Sequence, residues 1–319
     1  MSAATSMRVY CHVMHVPTAQ LVPIARRAEE LGFDGIALSD HVVFPVDRAE
    51  FQARIEKHWN PMGKESGRAE FPKDRGAYEP ATEFPDPWVA IAAMATATTR
   101  LDFMTTVYLL PLRHPLTVAQ QVATAAVLSD NRVTVGVGAG WFESEFQELD
   151  VPYGDRGGRL TEQIAILRKI WAGGPVEHRG KRYDFGVQVH QTPPRPPKIL
   201  VGGRSPAALR RAGGYGDGYI APRVSVEEFS DLKRGVEEAL AKAGRSNVPF
   251  EYVMLVYHED AFDREAFSRL QALGCNTIRV APFDIYDLPW GEGASLQQRL
   301  DALERYADEM ATLLPGRVA

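Results

Sequence analysis

The stretch Arg132-Val-Thr-Val-Gly-Val-Gly-Ala-Gly-Trp-Phe-Glu-Ser-Glu-Phe146 decides how the rest of the chain is read. It starts as a β-branched run, Val133 to Val137, of the kind that forms a buried strand. It ends in polar and acidic residues, Glu143 to Glu148, that suit a helix start. Gly136, Gly138 and Gly140 alternate between the two, so the backbone can pass close to a ligand and take φ > 0 without a Cβ penalty. A glycine turn from a strand into a helix N-terminus offers backbone N–H groups and the positive end of a helix dipole, which suits phosphate. The same spacing also serves a tight βα turn that needs small residues for packing. It is not a dinucleotide fingerprint, because the last glycine of that motif would fall on Trp141.

Working outward, the same strand-then-helix rhythm recurs. Residues 9–14 alternate as a first strand. Thr18 can cap a helix whose Leu21, Ile24, Ala25, Ala28 and Leu31 share one face. Gly32 stands where a left-handed C-cap is wanted, and residues 35–39 form a second strand that runs into Asp40 and His41. Residues 42–85 break the rhythm, with a short helix expected around 48–58, and read as a long insertion of the kind that serves as a functional lid or a disordered segment. Further strands are expected at 101–107, 198–201, 218–221, 250–257 and 277–281, each followed by a helical pattern, with a hairpin at 178–185. Eight strands, each followed by helix, predict an α/β fold: a (β/α)8 TIM barrel in one domain, residues 1–319, with insertions after strand two and before strand five.

Composition narrows the function. The chain has 319 residues, 45% hydrophobic and 24% charged, enough to bury a large core. A net charge of −5 argues against nucleic acid or an anionic membrane as a partner. No apolar run approaches the ~20 residues of a membrane span. The first residues lack the basic flank and apolar segment of a signal peptide, and the only cysteines are Cys11 and Cys275, so a cytoplasmic location is expected.

A TIM barrel builds its site at the C-terminal strand ends. No lysine lies at those ends, which disfavours a Schiff-base aldolase. No paired carboxylates stand at adjacent ends, which lowers the case for a glycosidase. His12 and His15 project to opposite faces of one strand, so no metal site is expected from them. What remains is glycine-rich and aromatic with one Asp-His pair, an inventory that fits a flat aromatic cofactor with a phosphate tail. Tyr153 and Arg156 read as residues that pin a loop, and His114, before Pro115, as structural.

Several motifs in order resemble the bacterial luciferase-like oxidoreductases, which include coenzyme F420-dependent enzymes. They are Leu31-Gly-Phe-Asp-Gly-Ile-Ala-Leu-Ser-Asp-His41, Val107-Tyr-Leu-Leu-Pro-Leu-Arg-His-Pro115, and Asn131-Arg-Val-Thr-Val-Gly-Val-Gly-Ala-Gly-Trp141. Asp155-Arg-Gly-Gly-Arg-Leu-Thr-Glu162, Gly180-Lys-Arg-Tyr183 and Val201-Gly-Gly-Arg204 continue the likeness. The resemblance implies a TIM barrel that binds F420, the preferred reading, or FMN. It places Asp40 and His41 beside the cofactor ring, with His41 catalytic. It places a cis peptide at Thr106–Val107 in a strand-three bulge behind the ring, and ring-edge and phosphate contacts at Gly138, Ala139, Gly140, Gly202, Gly203, Arg204 and Ser205.

The activity implied is hydride transfer to a small organic substrate or its oxygenation. An FMN monooxygenase fed by a separate flavin reductase and a non-catalytic flavin-binding protein are the alternatives, and the Asp40-His41 pair favours an enzyme. The family often dimerises, so a homodimer is compatible with the resemblance. The acidic tail of F420 would leave near Arg48, Arg54 and Lys57. Two departures matter: Trp141 stands where the sugar-phosphate dehydrogenases of the family carry a catalytic glutamate, and Met104-Thr105-Thr106 replaces a Gly-Thr-Gly lead into the bulge.

Overall fold

The computed structural model describes residues 7–43, 83–256 and 261–313. Its strands are β1 (Arg8–His12), β2 (Gly35–Leu38), β3 (Asp102–Thr105), β4 (Tyr108–Leu109), β5 (Val133–Gly138), β6 (Val176–Arg179), β7 (Asp184–Gln188), β8 (Lys198–Gly202), β9 (Gly218–Ile220), β10 (Glu251–Leu255) and β11 (Thr277–Val280). β1 pairs in parallel with β2 and with β11, and the parallel ladder runs unbroken round the ring between them. β4 continues β3 beyond a break and pairs with the same neighbour, β5. Taken as one strand they bring the barrel to eight, as expected, and closure removes the sheet edges. The two-stranded antiparallel sheet β6–β7 is the expected hairpin before strand five of the barrel.

The helices of the described residues are α1 (Leu21–Glu30), α2 (Pro87–Thr96), α3 (Pro115–Leu128), α4 (Glu143–Glu148), α5 (Arg156–Trp171), α6 (Pro206–Tyr215), α7 (Val226–Lys242), α8 (Arg264–Ala272), α9 (Pro282–Ile285) and α10 (Leu296–Leu313). None is long and apolar enough to cross a membrane. Their starts follow local chemistry. Proline opens α2, α3 and α6, where its missing N–H costs nothing, behind Asp86, His114 and Ser205, whose side chains accept helical N–H bonds. His114 is thus structural, as read. Thr18 is not the cap of α1: it begins a 3-10 turn after Pro17, and α1 starts behind Gln20 with no side-chain cap. Its N–H donates instead to Glu83 at 2.8 Å. Gly32 does take the left-handed conformation, φ 79. The expected helix around 48–58 lies outside the described residues.

Strand alternation divides the interior in two. Val9, Cys11, Val133, Val135 and Val137 face the helices and join the large outer core. Tyr10, Ala37, Met104, Leu200, Ile220 and Val253 fill the barrel, with Val107 packed against them. At the N-terminal face Arg8 bridges Glu251 at 3.0 Å, and the Tyr10 hydroxyl donates to Asp102 at 3.2 Å. That end is sealed by side chains, which leaves the opposite end for chemistry.

Candidate active site

β2 delivers Asp40 and His41 to the C-terminal end, and their side chains go to different partners. Asp40 is 2% exposed. Its Oδ1 accepts from Arg113 Nη2 at 2.8 Å, and its Oδ2 accepts from the Leu109 N–H at 2.8 Å and from Arg113 Nη1. Burial pushes the Asp40 carboxyl up, and the Arg113 guanidinium pulls against it. Arg113 in turn lies over the Tyr108 ring, 4.4 Å from its centroid. Asp40 therefore clamps the end of β2 to β4, just beyond the strand-three break.

His41 is held by a carboxylate that the sequence reading did not single out. Its Nδ1 lies 3.0 Å from Glu145 Oε2, and Glu145 Oε1 accepts from the Val42 N–H at 2.7 Å. The Glu145 side chain is fully buried, whereas that of His41 is 13% exposed. A carboxylate only accepts, so Nδ1 carries the hydrogen and Nε2 is the nitrogen that can take up a proton. The orienting group for this imidazole is Glu145, while the Asp40 carboxylate is bonded to Arg113 and the Leu109 N–H. Glu145 sits on α4, which the turn through Gly140 brings back over the barrel. Phe84 and Trp141 meet the His41 ring edge-on, with centroids at 5.6 and 6.0 Å.

The break between β3 and β4 contains the cis peptide Thr106–Val107, where it was expected. Thr106 N–H donates to Leu38 O at 2.6 Å, and Thr105 Oγ1 to Gly136 O at 2.8 Å, which ties the bulge to both neighbouring strands. The Val107 side chain fills a slot between β5 and β8. A Cβ on Gly138 would lie 2.4 Å from one Val107 methyl, and a Cβ on Gly202 2.6 Å from the other. A Cβ on Gly136 would lie 2.0 Å from Thr105 O. Two of the alternating glycines, and Gly202, therefore make room for strand three. Both Gly138 and Gly202 are buried. The tight-packing reading accounts for both directly.

The turns beyond those glycines are only partly buried. Gly140 has φ 82. Its carbonyl accepts from Arg156 Nε at 3.0 Å, and the Trp141 carbonyl from the Tyr153 hydroxyl at 3.0 Å. Arg156 also lies over the Tyr153 ring at 3.7 Å, so this pair pins the loop as read. Gly203 has φ 125, and its carbonyl accepts from Tyr219 Oη at 2.8 Å. Ser205 is exposed and caps α6 through the Ala208 N–H, beside a half-buried Arg204. An arginine at the start of a ten-residue helix fits an anionic tail. The residues present thus fit a flavin or deazaflavin phosphate.

His12 and His15 are not related as expected. β1 ends at His12, whose Nε2 lies 2.9 Å from Ser39 Oγ, while His15 lies beyond it at φ 58. The two-faces argument therefore does not apply to them. Burial lowers the pKa of both, to about 3 for His15. Among the described residues no three His, Cys, Asp or Glu side chains converge in a way that could hold a metal ion. Missed by the sequence reading were Glu145, Arg113, Phe84 and Trp290. Glu145 and Arg113 lay inside quoted motifs, whereas nothing in the sequence around Phe84 or Trp290 marked them. The proposed exit near Arg48, Arg54 and Lys57 lies outside the described residues.

Residues 4–269 match the profile of the family described as luciferase-like monooxygenase. An uncharacterized protein of Mycobacterium tuberculosis is 30% identical over 293 residues, 91% of this chain and 93% of its own. The F420-dependent glucose-6-phosphate dehydrogenase of Microbacterium testaceum is 30% identical over 250 residues, 76% of this chain and 65% of its own. In architecture the chain is similar to a crystal structure of a monooxygenase from Streptomyces bottropensis, with a TM-score of 0.69, 19% identity and coverage of 96% and 99% of the two chains.

Proposed function

This chain belongs to the luciferase-like monooxygenase family, and from that premise we propose that it is an oxidoreductase that uses the reduced deazaflavin F420 on a small organic substrate. The observation that carries the reading is the buried Glu145 carboxylate 3.0 Å from His41 Nδ1, which fixes an imidazole at the barrel mouth with Nε2 as its proton-accepting atom. The F420-dependent relative at 30% identity supports the choice of cofactor.

When bound, the reduced cofactor supplies a hydride, and that chemistry belongs to the cofactor itself. The protein's part is positional. Val107, locked between Gly138 and Gly202, backs the ring. Asp40 acts as a positioning residue: through Arg113 and the Leu109 N–H it fixes the strand that leaves the bulge. Gly203, Arg204 and Ser205 take the phosphate, and Ala139 and Gly140 take the ring edge. His41 gives or receives the proton that accompanies hydride transfer. Trp141 has no group that could serve as an acid or base, so a sugar phosphate is not the substrate proposed.

The test has two arms. Titration of the protein with F420 and with FMN, followed by fluorescence quenching, should show the tighter complex with F420. Tight FMN binding with no affinity for F420 would reverse the cofactor choice in favour of an FMN monooxygenase fed by a separate reductase. His41→Gln keeps a hydrogen bond but cannot shuttle a proton; it should bind cofactor within a few-fold and lose about 10²–10⁴ in kcat. Normal turnover in that variant would leave His41 a merely positional role, and binding without turnover in every substrate screen would favour a storage protein.

A further inference from the structure

Past the end of β2, three consecutive side chains go to three destinations. Asp40 turns to Arg113 and Leu109, and His41 to Glu145. Ser39 turns inward. Its Oγ lies 2.9 Å from Nε2 of His12, the last residue of β1. Strand alternation carries the inward face from Tyr10 to His12 and from Ala37 to Ser39, so the pair forms the layer above the apolar filling of the barrel. It also flanks the strand-three break, because the Thr106 N–H donates at 2.6 Å to Leu38 O, the carbonyl just before Ser39. Ser39 is half-buried, whereas His12 is 4% exposed.

The hydrogen bond in this pair has a direction. His12 Nδ1 is sealed from solvent and has no hydrogen-bond partner among the described residues. Burial, with the Arg279 guanidinium nearby, holds the imidazole well below its ordinary pKa, so the ring is neutral and carries one hydrogen. An orphaned buried N–H is rarer in folded proteins than an under-used lone pair. The hydrogen therefore belongs on Nε2, which donates it to Ser39 Oγ. A serine hydroxyl has one hydrogen and two lone pairs. With a lone pair taken by His12, Ser39 keeps its own hydrogen to donate, and among the described residues it meets no protein acceptor. The histidine bond restricts rotation of the hydroxyl, and a hydroxyl that already accepts is the stronger donor.

We infer that Ser39 binds the cofactor ring by donating its hydroxyl hydrogen to a ring carbonyl oxygen, with His12 as the positioning residue that sets the direction of that hydroxyl. This rests on the reading of the barrel mouth as the site of F420 or FMN and adds a polar contact to it. Both cofactors carry two carbonyl oxygens on the same edge of the ring, and Ser39 stands beside the Thr106–Val107 peptide whose Val107 backs that ring. A neutral hydrogen bond of this kind is worth about a three- to tenfold difference in affinity.

Binding and vibrational spectra test it without turnover. Each variant is titrated with F420 and with FMN by fluorescence quenching, and infrared difference spectra of the bound cofactor follow its carbonyl stretches. Ser39→Ala should weaken binding about three- to tenfold and raise the frequency of one ring carbonyl, as loss of a donor does. His12→Leu should do the same in part, whereas His12→Gln, whose amide N–H comes near the place of Nε2, should keep the wild-type frequency. The double variant Ser39→Ala/His12→Leu should bind no more weakly than Ser39→Ala, because the histidine acts through the serine. Wild-type affinity and an unmoved carbonyl band in a folded Ser39→Ala protein overturn the assignment, and strictly additive losses in the double variant overturn the role of His12. Should His12→Leu not fold, Ser39→Ala and His12→Gln decide. A wild type that binds neither cofactor would bring down the proposed function and this contact with it, whereas binding that is indifferent to Ser39→Ala overturns the contact alone.

Discussion

His41 Nδ1 and Glu145 Oε2 lie 3.0 Å apart, although 104 residues separate them in the chain. The bond does more than orient a ring, because it chooses the tautomer. An amide at position 145 can donate as well as accept, so Glu145→Gln should shift hydrogen onto Nε2 and spoil its basicity. A wrong tautomer behind an otherwise intact geometry is known to cost about 10⁴ in a catalytic triad, and a loss on the order of 10²–10⁴ in kcat is expected here. Cofactor affinity should stay within a few-fold. Steady-state kinetics with the substrate at saturation would settle it, and an unchanged kcat would show that Glu145 only packs.

The slot for Val107 predicts a double-mutant cycle. In Gly138→Ala the new methyl would sit 2.4 Å from a Val107 methyl, so something must move. Overpacking of this kind costs about 1–3 kcal/mol. Val107→Ala alone removes buried volume and destabilises as well. Combined, the two changes should recover most of the loss, because the space one takes the other vacates. Chemical denaturation of the four proteins measures the coupling, and strict additivity would mean that the methyls do not compete.

Much of this fold was legible in the sequence because of one simple fact: strands buried on both faces read as continuous apolar runs. Val133 to Val137 is nearly such a run, broken only by Thr134 and Gly136, and Gly32 marked the end of α1 because its conformation, φ 79, disfavours a side chain. The glycines of β5 were legible as glycines but not in their purpose. A missing Cβ looks the same in sequence whether a ligand or Val107 fills the space. Pairings across the barrel were hidden for another reason. Asp40 and Arg113 stand 73 residues apart, and nothing in either neighbourhood names the other. The Thr106–Val107 bond came from the family resemblance alone. Thr18 misled because its hydroxyl promised a cap, while Pro17 led the chain into a 3-10 turn first.

Acid sensitivity should trace in part to His15. Its folded pKa is lowered from 6.5 to about 3 by burial and by His41, so between these values the unfolded chain binds a proton that the folded one does not. Stability from this residue is therefore complete above about pH 6.5 and is lost as pH falls towards 3, by up to about 1.4 kcal/mol per pH unit. His12, lowered in the same direction, adds to the slope. His15→Phe keeps a ring against Trp290 but has no proton to bind. Its stability should match the wild type's pH dependence above pH 7 and fall less steeply between pH 6 and 4. Parallel slopes for the two proteins, measured by urea denaturation, would remove His15 from the account.

The phosphate placement is best tested at Arg204 and not at Gly140. An aspartate at Gly140 would have to adopt φ 82, and its Cβ would lie 2.8 Å from the Phe146 ring, so lost binding could simply report a damaged fold. Arg204 is half-buried, and one of its hydrogen bonds runs 3.5 Å to Arg223 O. Arg204→Glu reverses the charge at a position with no left-handed backbone to disturb. If the start of α6 holds the phosphate, the new carboxylate faces it across a short distance, and repulsion replaces attraction. Cofactor affinity should drop at least tenfold at low salt and recover in part as salt screens the pair, while the melting temperature of the cofactor-free protein stays within a few degrees. Arg204→Gln should fall between the two. Unaltered affinity in a folded Arg204→Glu protein would move the phosphate away from this turn and leave the Ala139–Gly140 side of the mouth to hold it.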